Sequence, residues 1–93
     1  MNYTEKQLKT ALAKMLPECV FESGDLYIYD VDFAGLGGHR QVRNTELLHL
    51  CWLVEETLDS KHNLKYYNQI EIDPHASWQQ RVVALAKVKG IEI

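Results

Sequence analysis

Two cysteines in 93 residues are too few for a disulfide-stapled scaffold, which draws on a larger even set in an exported chain. Cys19 and Cys51 stand 32 positions apart, and Cys51 lies in the apolar run LLHLCWLV. The opening residues MNYTEKQL lack the apolar stretch of a signal peptide. The expectation is a reduced, cytoplasmic protein with two structural thiols. No apolar run approaches the ~18 to 20 residues of a membrane span. An excess of positive charge is missing too. Ten Lys and Arg against thirteen Asp and Glu give −3, which is neither an electrostatic footprint for nucleic acid nor acidic enough to mimic DNA. There is no internal repeat, low-complexity tract or linker, so residues 1–93 read as one domain, burying roughly 60 to 65% of its unfolded surface.

What is present builds a core. A 46% hydrophobic and 10% aromatic content is that of a packed globule rather than a disordered segment. Thr4 and Gln7 have capping-box spacing, Tyr3 and Leu8 have staple spacing, and Leu8, Ala11, Leu12, Met15 and Leu16 form one stripe before Pro17 stops the helix. Residues 19–22 and 26–33 read as a hairpin around Ser23-Gly24-Asp25. In its second strand, Tyr27, Tyr29, Val31 and Phe33 are expected to face the core, with Leu26, Ile28, Asp30 and Asp32 outward. A helix over 44–58, with Asn44 as its N-cap, is apolar nearly all round, which marks an element covered on more than one side. Residues 60–72 suit either a helix or a strand. Asp73-Pro74, with Ser77 as the rival cap, opens a final helix carrying Trp78, Val82, Leu85 and Ala86 and ending at Gly90. Ile91-Glu92-Ile93 is free to add a short strand. The fold class is therefore α+β: a small antiparallel sheet packed by three to four helices.

The stretch FAGLGGHRQVRNTELL, residues 33–48, is the one place where a phosphate cradle has to be considered. A Walker loop needs a lysine and a hydroxyl after its last glycine, and neither is there. A dinucleotide loop opens directly into a helix, whereas Gly38 precedes Asn44 by six residues. The loop still brings Arg40 and Arg43 towards the start of the Asn44 helix, so Arg40, Arg43 and Asn44 form the candidate anion site. A plain connection leaving the sheet is the simpler reading.

The remaining chemistry is sparse. Asp30, Asp32 and His39 are donors of the type that hold a hard or borderline metal, but the rest of a ligand set is missing. Glu46 and His49 have the E-x-x-H spacing of bundle di-metal sites, which need two copies. His62 and His75 flank turns and default to solvent. Cys51 among leucines is a small core residue, and neither thiol has an evident base, so no enzyme, cofactor or metal is expected. Arg40, Arg43, Lys61, Lys65, Tyr66 and Tyr67 interleave basic and aromatic groups, yet the negative net charge favours ordinary surface. Core packing does not account for Trp52 and Leu53 on the far side of an already apolar helix, and such residues suit an interface.

The stretches NTELLHLCWLVEETL and ASWQQRVVALAKVKGIEI, residues 44–58 and 76–93, resemble short uncharacterised proteins of tailed bacteriophages and prophages. The resemblance implies a bacterial cytoplasm and a small accessory protein that acts on the host or its defences, and it carries over no functional residue. The expected function is thus a non-catalytic protein that docks on a host or phage protein through Trp52, Leu53, Arg40 and Arg43, with a homodimer as another use of that surface. The alternative is a nucleotide, anion or nucleic-acid binder centred on the loop 35–43.

Overall fold

The computed structural model describes residues 3–58 and 75–93. Helix α1 spans Glu5–Met15, strands β1 and β2 span Cys19–Glu22 and Asp25–Asp30, β3 spans Gly38–Gln41, α2 spans Leu47–Glu56 and α3 spans Trp78–Lys89. The sheet is an antiparallel meander in the order β1-β2-β3. Helices α1 and α2 both pack on α3, and α1 also lies on β1 and β2. The α+β class is as expected. The readings of residues 60–72, of Asp73-Pro74, and of His62, Lys61, Lys65, Tyr66 and Tyr67 lie outside the described residues.

Helix α1 starts as its local chemistry dictates. The Thr4 hydroxyl accepts from the Gln7 N–H at 3.1 Å, and the Gln7 side chain accepts from the Thr4 N–H at 2.8 Å, so two otherwise orphaned donors are satisfied. Leu8, Ala11, Leu12 and Met15 are buried, and truncating a fully buried leucine such as Leu12 removes about 2 to 5 kcal/mol. Helix α3 opens at Ser77, the rival cap. The Ser77 hydroxyl accepts from the Gln80 N–H and Gln80 reaches back to the Ser77 N–H, a reciprocal capping box. Gly90 adopts φ 69° as its left-handed cap. The Ile91 N–H then donates to the Ala86 carbonyl at 2.8 Å, and this Schellman tie turns the tail onto the core instead of into the sheet. Ile91 and Ile93 pack there as partly buried residues, so the expected C-terminal strand is not formed.

The hairpin closes more tightly than expected. Glu22 pairs with Asp25, leaving Ser23 and Gly24 as a two-residue turn with φ of 55° and 84°, the geometry that matches strand twist. The register also reverses the expected faces. Cys19 and Leu26 are buried, and Phe21 and Ile28 pack partly against the core, whereas Tyr29, Val31 and Phe33 are exposed. The sheet turns its aliphatic side to the helices and its tyrosines away from them. Strand β2 ends at Asp30, so Val31 and Phe33 belong to a turn and not to a strand face.

Candidate functional site: the outer sheet face and the Arg40 clamp

The glycine stretch is not a featureless loop. Asp30 Oδ1 accepts from the Asp32 N–H at 2.9 Å, an Asx turn that bends the chain out of β2. A short 3-10 turn at Phe33–Gly35 follows. Residues 38–41, expected as part of a connection, pair with β2 as a third strand: Tyr29 lies opposite His39 and Ile28 opposite Arg40. Gly37 has φ +79°, and a Cβ there would come within 2.7 Å of the Tyr29 hydroxyl. A bare α-carbon is thus what lets the tyrosine ring lie across the turn.

Arg40 sits on the inward side of β3 and is tied twice. Its Nε donates to Asp30 Oδ2 at 3.0 Å, and Nη1 and Nη2 donate to Glu46 Oε1 and Oε2 at 2.8 and 2.7 Å, the two-pronged geometry that makes Arg–carboxylate pairs specific. Glu46 Oε1 also accepts from the Arg43 N–H at 3.1 Å. This carboxylate fixes a 3-10 turn over Asn44–Glu46 ahead of α2, so the chain enters the turn from Arg43 and Asn44 is not its N-cap. Hydrogen bonds from Arg40 hold the Glu46 carboxyl down at about 2. Asp30 is held below the ordinary carboxylate range, first by the Asp32 N–H and then by Arg40.

These bonds decide several candidates. Arg40 has two carboxylates against its single positive charge, and an incoming anion would have to displace one of them. Arg43 and Asn44 are exposed, and the Arg43 N–H shares Glu46 Oε1 with the Arg40 guanidinium. Asp30 is occupied as turn former and clamp, Asp32 lies in the turn, and His39 projects to the opposite side of the sheet, where its ring meets Tyr29 edge-on at 5.7 Å. Among the described residues no group of three metal-ligating side chains is assembled. Glu46 serves Arg40, while His49 stands edge-on to Trp52 at 6.4 Å. Trp52 is 48% exposed, whereas Leu53 is half-buried and packs against the core. Both cysteines are buried and unpaired. Burial, helped by Glu18, pushes the Cys19 thiol up to about 11, and burial, helped by Glu55, pushes Cys51 up to about 12. Neither is a ready nucleophile.

Sequence reasoning passed over two features. One is the outer sheet face, with Val20 opposite Tyr27 and Tyr29 opposite His39, alongside an open groove of about 610 Å³ lined by Val20, Phe21, Glu22, Ser23, Tyr27 and His39. The other is the buried pair of Arg81 with Glu55, at 2.7 Å between α3 and α2. Its signal was available. Arg81 falls at the i+3 position of the stripe Trp78, Val82, Leu85, and Glu55 falls at i+4 from Cys51, so two opposite charges sit where apolar residues belong. No family model matches this chain, and no curated protein or solved structure matches it.

Proposed function

We propose that this chain is a non-catalytic binding protein that docks on another protein through the outer face of its sheet and the β2–β3 turn. The observation that carries the reading is where the large apolar residues are left open. Among the described residues they are Val20, Tyr29, Val31, Phe33, Leu36 and Trp52, and all but Trp52 belong to β1, β2 or the turn after it. Leu36 is 93% exposed at the turn. Grouped apolar exposure beside a groove is characteristic of interaction surfaces, while scattered single residues are not. Buried thiols and self-neutralised Arg40 support binding over catalysis. In the phage or prophage setting that the resemblance implies, the partner is a host or phage protein.

The test is a pull-down of tagged chain from bacterial lysate, with and without nuclease, using the wild type, a Tyr29→Ser/Val31→Ser/Leu36→Ser variant and Trp52→Ala. One stoichiometric protein that survives nuclease, is lost in the sheet variant and is kept by Trp52→Ala is the expected result. Loss with Trp52→Ala alone moves the contact to α2. Loss of everything on nuclease treatment replaces this reading by nucleic-acid binding.

A further inference from the structure

The outer sheet face is charged in one sense. Alternation along β1 puts Glu18, Val20 and Glu22 on the same side, and the pairing continues to Glu18, whose carbonyl accepts from the Tyr29 N–H at 2.9 Å. Register sets Glu22 opposite Asp25 and Val20 opposite Tyr27. Three carboxylates therefore border Val20, Tyr27 and Tyr29, while the outward positions of β3 hold His39 and Gln41. No lysine or arginine projects from this side of the strands. The described lysines, Lys6, Lys9, Lys14, Lys87 and Lys89, are all on α1 and α3, the helices packed on the other side of the sheet. Ion pairs join Arg40 to Asp30 and Glu46, and Arg81 to Glu55. None of these pairs takes up Glu18, Glu22 or Asp25, which border an apolar centre.

We propose that this face receives a basic segment of the partner protein, in which one aliphatic or aromatic side chain enters the groove lined by Val20, Tyr27 and His39, and flanking Lys or Arg residues meet Glu18, Glu22 and Asp25. This rests on the docking reading above and names the chemistry of its occupant. A second copy presenting the same face would oppose carboxylate to carboxylate, and like charges across an interface exclude a pairing as effectively as complementary ones select it. The groove is wide and open, which suits a side chain on a polypeptide rather than an enclosed small ligand.

The experiment is selection of a randomised displayed peptide library against the full chain at low salt, with enriched peptides then measured on Tyr29→Ser and on Glu18→Lys/Glu22→Lys. Glu18 and Glu22 are exposed, so the charge reversal leaves the core alone, and circular dichroism verifies that it does. The expected peptides carry an apolar residue between Lys or Arg, lose at least about tenfold in affinity, near 1.4 kcal/mol, on charge reversal, and weaken with salt. Peptides that are neutral or acidic, insensitive to charge reversal but lost on Tyr29→Ser, would overturn the basic partner and leave the docking surface standing. Absence of enrichment, or binding indifferent to every variant of the face, would overturn both. Self-association in light scattering that Tyr29→Ser abolishes would replace the basic partner by a second copy.

Discussion

Arg81 on α3 and Glu55 on α2 form a charge pair inside the protein, Nη1 to Oε1 at 2.7 Å, with side-chain exposures of 7% and 15%. The pair crosses the helix contact beside Cys51, whose thiol lies 3.6 Å from the Trp78 carbonyl. Arg81 Nε is buried with no hydrogen-bond partner, so the guanidinium is incompletely compensated, and an unsatisfied buried donor costs about 1 to 3 kcal/mol.

Removing one partner should therefore hurt more than removing both. Glu55→Ala leaves a buried cation alone and is expected to lower stability by about 3 to 5 kcal/mol, whereas Arg81→Met/Glu55→Leu should be near neutral or stabilising. Urea denaturation of the three proteins reads this directly. A double variant as unstable as the single one would show that the pair itself holds α2 to α3.

The clamp at Arg40 predicts a pH dependence. Glu46 has its folded value depressed to about 2 from 4.5, so its contribution to stability is present above about 4.5 and is lost as pH falls towards 2. The difference in urea midpoint between the wild type and Glu46→Gln should shrink steadily on acidification through that window. A constant difference would mean that the carboxylate is not engaged in solution.

Gly35 and Gly37 separate backbone strain from crowding. Both have positive φ, +74° and +79°, but a Cβ at Gly35 meets nothing within 4 Å, while at Gly37 it meets the Tyr29 hydroxyl at 2.7 Å. Gly35→Ala is expected to cost roughly 1 to 2 kcal/mol from the left-handed conformation alone. Gly37→Ala should cost more and should alter the environment of the Tyr29 ring, visible in near-ultraviolet circular dichroism. Equal losses at the two positions, with no spectral change, would contradict the contact.

The thiols should be silent in the native protein. With Cys19 and Cys51 raised to about 11 and 12, iodoacetamide at mildly alkaline pH should add no mass until denaturant is present, and then two adducts. Rapid single labelling of the folded chain would show that the core opens near one of them.

Much of this architecture was legible where the information is local. Thr4 and Gln7, Gly90, and the stripe from Leu8 to Met15 specify their elements through neighbours within one or two helical turns. The faces of β2 were not, because within the strand each alternating set holds two large apolar or aromatic residues and one aspartate. Ring size pointed to Tyr27 and Tyr29, while the contacts of α1 select the smaller Leu26 and Ile28. Strand β3 reads GHRQ, with no β-branched residue, and it is a strand through pairing with β2 rather than through propensity. Arg40 and Arg43 look alike in sequence, yet Arg40 is bound by carboxylates six residues ahead and ten behind, a closure that no linear spacing displays. The candidate surface followed the same division. Trp52 is as exposed as its place on an overfull helix suggested, whereas the sheet face became visible only with the register.

The order of the elements also has a consequence for the chain as it is made. A chain made only as far as Glu56 contains the meander, α1 and α2, but the sides of α1 and α2 that α3 covers lack that cover until Trp78–Lys89 follows. A chain cut short ahead of Val82 and Leu85 would leave this greasy surface open to chaperones and be prone to aggregation.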